Sequence, residues 1–360
     1  MADEETGAGQ RSMKQKCCGS PGRRICSTLM ILVCITAIAL IAVYATRTGV
    51  SSKDETHTQG TQGTCSASTS DASSIKIMTY NTFQIYCIPG VDKKTFKCQE
   101  AEARTERAKS FGEWFKDRDE DVVLLQELWS NHDVILAENS FKDWYDLFGG
   151  GIRPEILNPE SYVAAKGVLY ARVMKGNQPI NILNMHTNSD TSGDKHDVRM
   201  QQFNIVKEVI DSKNISAEEL VLMGGDMNED KDCRLLKCDR QAKCENQTYY
   251  TDMLTALSAE EVEISTEETN AWTYNTENNT LLKSLYETSD CDTYQYLLDY
   301  IFVSKDHLAA KSSSVCEVLN PLSPEGLDLS DHFPMSCVID FEQATETNTT
   351  ESVKETVTEG

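Results

Sequence analysis

Basic side chains are scarce in this chain relative to acidic ones: 34 Lys and Arg stand against 57 Asp and Glu among 360 residues, a net charge of −23. Nucleic-acid backbones are held chiefly by Lys and Arg, so this imbalance disfavours polyanion binding, although bound cations can offset local repulsion. Paired Cys-x-x-Cys motifs and clustered histidines are missing around Cys233, Cys238 and Cys244, which disfavours zinc there. Charge vanishes altogether between Ile25 and Ala45. At about 1.5 Å per residue that run reaches the ~30 Å thickness of a hydrocarbon core, and it is longer than the ~7–15-residue apolar region of a cleaved signal peptide. A transmembrane helix is therefore expected over 25–45.

Arg11, Lys14, Lys16, Arg23 and Arg24 precede the run and only Arg47 and Lys53 follow closely, so the positive-inside rule makes 1–24 a basic cytoplasmic tail. The expected topology is a single-pass type II membrane protein whose remainder faces the exterior or a lumen. Sequons at Asn214, Asn246, Asn278 and Asn348, and nine of the thirteen cysteines, lie after the run, as expected of a glycosylated chain in a compartment that permits disulfides. Cys17 and Cys18 are acylation candidates at the cytoplasmic face. Residues 46–74, rich in Ser, Thr, Gly and Gln, cannot bury enough apolar surface to offset ordering and read as a stalk. Residues 343–360, rich in Thr and Glu, read as a disordered acidic tail, which leaves 75–342 as the folded part.

Within that part, apolar runs end repeatedly on polar residues. Ile75–Tyr80 ends at Asn81, and Asp121–Leu125 delivers Gln126 and Glu127. Lys166–Val173 and Ile180–Met185 read as paired strands joined by Lys175–Pro179, the second ending at His186. Val221–Met223 stops at Gly224-Gly225 and presents Asp226 and Asn228, which share one side of an extended chain and can address one bound group; an ordinary Asx-type turn is the alternative. Tyr296–Val303 reads as a strand with Asp299 inside it, and a buried carboxylate there needs a partner. Ser330-Asp331-His332 precedes a strand over Met335–Ile339. Amphipathic helices are expected at 102–115 and 198–210, with a short one near 252–257. A histidine at a strand end is commonly structural, but the acid and amide ends of neighbouring strands bring His186 into the candidate site.

Taken in order, Met78-Thr-Tyr-Asn81, Val122-Val-Leu-Leu-Gln-Glu127, Lys166-Gly167, His186, Gly224-Gly-Asp-Met-Asn228, Leu298-Asp-Tyr-Ile301 with Ser304-Lys-Asp-His307, and Ser330-Asp-His-Phe-Pro334 resemble the endonuclease/exonuclease/phosphatase superfamily. Within it they are most similar to the bacterial-type neutral sphingomyelinases. The resemblance implies an α/β fold, a DNase-I-like four-layer α/β/β/α sandwich with a metal site at one edge. It implies Mg2+, with Mn2+ or Co2+ as alternatives, on Glu127 and Asn81. His332 becomes the general base oriented by Asp299; Asp226 and Asn228 position the attacking water and the phosphoryl oxygens; Asp331 organises the metal shell; and His186 serves the phosphate or the leaving group. The implied activity is hydrolysis of sphingomyelin to ceramide and phosphocholine, with a membrane sphingolipid as partner and the 25–45 run as the membrane contact. An extracellular nuclease and a catalytically impaired surface binding protein are the alternatives. Two departures stand out: the segment between Glu127 and Lys166 is short by about a strand, with Phe148–Pro154 as a compressed remnant, and Leu319–Leu329 is short where secreted relatives carry an aromatic membrane-touching hairpin.

Overall fold

The structure is a computed structural model that describes residues 39–44, 50–52, 73–85, 99–131, 134–135, 145–150, 166–189, 193–231, 248–265, 272–285 and 295–343. In chain order the strands are β1 (Ala39–Tyr44), β2 (Val50–Ser52), β3 (Ser74–Asn81), β4 (Val122–Gln126) and β5 (Tyr145–Gly150). They continue with β6 (Val168–Lys175), β7 (Gln178–His186), β8 (Leu220–Asp226), β9 (Ala259–Glu261) and β10 (Glu263–Ile264). The last five are β11 (Tyr274–Asn275), β12 (Gln295–Tyr296), β13 (Asp299–Ser304), β14 (Val315–Val318) and β15 (Met335–Asp340). One mixed sheet runs β10-β14-β15-β3-β4-β1-β5, a second runs β2-β6-β7-β8-β13-β9, and β11 and β12 form a separate ribbon.

Alternation along the strands builds the layers. In β3 and β4, Ile75, Ile77, Val122 and Leu124 enter one buried cluster with Ile182, Met223 and Ile301 of the second sheet. The intervening Met78, Tyr80, Val123 and Leu125 face the opposite way, onto Ala108, Phe111 and Phe115 of the helix Ala101–Lys116. On the second sheet every residue of β8 is buried, and Phe203, Val206 and Ile210 of the helix Gly193–Ser212 join its cluster. A strand covered on both faces reads as a continuous apolar run, which is why Leu220–Met223 shows no alternation. Buried amides tie the sheets together: Gln126 Nε2 donates to Asn184 Oδ1 at 2.8 Å, and Asn184 Nδ2 donates to the Leu125 carbonyl at 3.0 Å.

The structure differs from the sequence expectations near the chain's beginning. Ala39–Tyr44, expected within the transmembrane helix, forms β1, antiparallel to both β4 and β5, and Val50–Ser52 of the expected stalk pairs with β6. A short apolar run satisfies a buried strand as well as a helix end, and periodicity alone does not separate the two. Residues 25–38 lie outside the described residues, and no helix among the described residues is long and apolar enough to cross a membrane. The sheet continues past β4, where the short 128–166 segment would leave an edge: β1 and β5 extend it, and Phe148–Gly150 of the compressed stretch belongs to β5.

Another difference matters to the site. Tyr296 lies in β12 and the long strand begins only at Asp299, so this carboxylate heads β13 instead of lying inside it. Cys233, Cys238 and Cys244 lie outside the described residues. Among the described residues one disulfide joins Cys316 to Cys337, which are direct partners across β14 and β15.

Candidate active site

Strand direction collects the polar ends at one edge. β3 runs parallel to β4, and β7 parallel to β8, so Asn81, Glu127, His186 and Asp226 all arrive at C-terminal ends. β13 is antiparallel to β8 and β15 to β3, which brings Asp299 and the approach to Met335 to the same edge. The register sets His186 opposite Asp226, and Asp226 opposite Asp299. The chain turns sharply just beyond the strand ends: Phe83, Glu127 and Asn228 have φ of 48°, 54° and 51°. Side chains other than glycine are uncommon in that left-handed region, and such conformations persist where surrounding bonds hold them.

Those bonds are present. Asn81 Nδ2 donates to Asp226 Oδ2 at 3.0 Å and Asn81 Oδ1 accepts the Phe83 amide at 3.1 Å, while Asp226 Oδ1 accepts the Asn228 amide at 3.0 Å. Asn228 Nδ2 donates to the Thr187 carbonyl at 3.2 Å, bracing the loop that follows His186. His332 Nδ1 lies 2.7 Å from Asp299 Oδ2, which supplies the partner that this buried acid requires. The far nitrogen of that ring is 3.8 Å from Asp226 Oδ2, and His186 Nε2 is 3.4 Å from the same oxygen and 3.9 Å from Glu127 Oε1. Ser330 Oγ donates to the Asn81 carbonyl at 2.6 Å and to Asp331 Oδ1 at 3.3 Å, linking the Asp331-His332 loop to the end of β3. Every candidate taken from the sequence therefore lies in one cluster.

This order of strand ends matches the profile of the endonuclease/exonuclease/phosphatase family over residues 78–332. The chain belongs to that family. It is 26% identical over 309 residues to a sphingomyelinase C of Bacillus cereus, an alignment covering 74% of this chain and 85% of that relative. A sphingomyelinase C of Listeria ivanovii is 28% identical over 185 residues, covering 47% of this chain and 49% of the relative. Among solved structures, the beta toxin of Staphylococcus aureus superposes with a TM-score of 0.55 at 19% identity, covering 73% of this chain and 99% of that one. Sphingomyelinase C from Streptomyces griseocarneus gives 0.54 at 18%, covering 74% and 99%. The fold is DNase-I-like.

The family's chemistry calls for a divalent metal, and the residues present fit one. Asp226, Asp299 and His332 offer donor atoms all within 4.8 Å of one another. Asp299 Oδ2 is already committed to His332, whereas buried Glu127 Oε2 and Asp299 Oδ1 have no hydrogen-bond partner among the described residues. Burial, reinforced by the nearby Asp331 charge, pushes the Glu127 carboxyl up to about 7. A hard cation resolves both the orphaned Glu127 oxygen and the clustered negative charge, and carboxylate oxygens suit such an ion. Glu127→Ala should therefore weaken metal binding by about tenfold or more, read by calorimetric titration and by the metal dependence of activity. An unchanged titration would place the metal elsewhere.

Some members of the site gave no role in the sequence. Lys166 is half-buried beside Glu127 and Asp226; desolvation lowers its ammonium pKa against the pull of those two carboxylates. Arg107, from the helix Ala101–Lys116, donates to the Thr82 and Leu329 carbonyls at 2.7 Å each and to that of Phe83, and its Nε donates to Gln99 Oε1 at 2.8 Å. It thus clamps the loop after Asn81 to the loop before Asp331. Arg199, from the helix Gly193–Ser212, holds Glu229 Oε2 at 2.5 Å and the Asn188 carbonyl at 3.2 Å, joining the loops after β8 and β7. Helix arginines read as solvated charges in a sequence; only burial against carbonyls distinguishes these two. Arg107→Lys keeps the charge but loses the planar fork, so kcat should fall on the order of 10²-fold with KM little changed, because misplaced loops disturb the reacting geometry more than substrate capture. Equal loss in kcat and gain in KM would contradict that assignment.

Proposed function

We propose that this chain is a Mg2+-dependent phosphodiesterase that hydrolyses sphingomyelin to ceramide and phosphocholine. The observation that carries the reading is the Asp299–His332 pair facing Asp226 and Glu127 at the sandwich edge. Relatives named sphingomyelinase C, aligned over most of their length, support the substrate class. The net charge of −23 weighs against a nuclease.

Each residue has a distinct task. Asp299 holds His332 through Nδ1, leaving Nε2 to accept a proton from the attacking water. Asp226, fixed by Asn81, lies between the two histidines and can orient that water. Burial and the Lys166 charge bring His186 down to about 3, so it stays a neutral imidazole near neutral pH and serves the phosphoryl oxygens or the leaving oxygen as a hydrogen-bond donor. Asn228 braces the loop through Thr187 while its side-chain oxygen remains available to the site. Glu127, with Asn81, would hold the divalent ion, which when bound supplies charge for the nonbridging oxygens of the phosphodiester.

Assay of the full chain on sphingomyelin, phosphatidylcholine and DNA, each with and without Mg2+, tests the reading. Mg2+-dependent release of phosphocholine from sphingomyelin is expected; preferential DNA cleavage would make it a nuclease, and inactivity on all three would leave a binding protein. The proposed location is a type II orientation with the catalytic domain outside the cytosol, the 25–45 run serving as anchor. Anchoring requires Ala39–Tyr44 to leave its place beside β4. Asn214 and Asn278 are exposed sequon residues, so sealed microsomes should protect the domain from protease and the protected chain should shift on glycosidase treatment. A domain digested in sealed microsomes would reverse the orientation.

A further inference from the structure

The ribbon of β11 and β12 is joined to the catalytic loop: Tyr274 forms a bridge with His332, and the Phe333 amide donates to the Thr273 carbonyl at 2.7 Å. The Tyr274 ring stands edge-on to the His332 ring with centroids 5.2 Å apart, and directly across the ribbon Tyr296 stacks on Tyr274 at 6.2 Å. Both tyrosines are partly exposed. A phosphoryl group at His332 therefore has the Tyr274 ring beside it, with Tyr296 stacked against that ring.

We propose that Tyr274 and Tyr296 form the headgroup-selecting subsite, taking the quaternary ammonium of the alcohol that stays on phosphorus; this rests on the phosphodiesterase reading above. Tyrosine rings present a negative face to a cation within about 6 Å and need no hydrogen bond from it, so they favour a methylated ammonium, whose charge is diffuse and whose methyl groups pack against the ring. A ring pair that served only as a cross-strand contact would stabilise the ribbon without distinguishing headgroups.

Calorimetry of the full chain in Mg2+ with phosphocholine, O-phosphoethanolamine and inorganic phosphate separates these cases, alongside hydrolysis of 4-nitrophenyl phosphorylcholine and bis(4-nitrophenyl) phosphate. The wild type should bind phosphocholine about tenfold or more tightly than O-phosphoethanolamine, and Tyr274→Leu or Tyr296→Leu should erase most of that ratio while Tyr274→Phe keeps it. For the leucine variants kcat/KM on the choline ester should fall by about tenfold more than on the bis-aryl ester. An unchanged phosphocholine preference in both leucine variants overturns the subsite. So does a parallel loss on both esters with a lowered melting temperature, which marks a structural pair. Those results leave the phosphodiesterase reading intact if the wild type still cleaves sphingomyelin; a wild type inactive on sphingomyelin and both esters overturns that reading and the subsite with it.

Discussion

Replacing His332 with Ala is expected to lower turnover by about 10²–10⁴ while leaving binding to sphingomyelin vesicles largely intact, since general-base help is realised in the transition state. The geometry behind this is the 2.7 Å contact between His332 Nδ1 and Asp299, with the far nitrogen turned towards Asp226. The pH dependence follows from the same neighbours. Burial pulls the His332 pKa down, but Asp299, Asp226 and Asp331 outweigh it and hold the imidazole well above its ordinary value. The base works only when neutral, so activity should be lost as pH falls through this raised pKa, and the acid limb should lie above pH 6.5 at low Mg2+. Added Mg2+, a positive charge beside the ring, should move the limb to lower pH. Asp299→Asn removes the largest of the raising charges, so its limb should also shift down while its maximal rate falls. Rate profiles of wild type, Asp299→Asn and His332→Ala at two Mg2+ concentrations check all of this. Near-normal turnover in His332→Ala would remove it as base, and an optimum near pH 5 would require another mechanism.

Gly225→Ala should prevent folding or cost more than about 4 kcal/mol, a size that single substitutions reach only through a specific clash or strain. Gly225 has φ of +140°, and a methyl group there would run into the Met185 carbonyl of β7, with the Met185 carbon at 2.8 Å and nitrogen at 3.0 Å. Backbone cannot give way without opening the β7–β8 pairing, and that pairing sets His186 opposite Asp226. Gly224→Ala supplies the contrast. Its methyl group would meet the end of the Leu124 side chain, which can rotate, and the Tyr300 carbonyl at 3.3 Å, so about 1–3 kcal/mol is expected. Urea denaturation of the two variants measures the difference, and equal stabilities would refute the backbone argument.

How much of this was legible in the sequence depends on range. The apolar runs that became β3, β4, β6, β7, β8 and β15, and the helices Ala101–Lys116 and Gly193–Ser212, were readable because their patterns are local and their burial is periodic or continuous. The ordered polar ends, from Asn81 to His332, were readable because the family match rests on residue types in sequence order. The four-residue β14 and the two-residue β10, β11 and β12 were not, since such short pieces carry no period and exist only through their partners. Nor could composition tell whether Ala39–Tyr44 would lie in a helix or in a strand, because an apolar run serves either and the neighbour decides. Sequence alone thus determined that most of the candidate polar side chains stand at strand ends. Tertiary structure decided their partners: Asp299 heads β13 and meets His332 across 33 residues, and Arg107 reaches Leu329 across 222. Those pairings depend on strand direction and register between distant segments, which no local pattern of residues encodes.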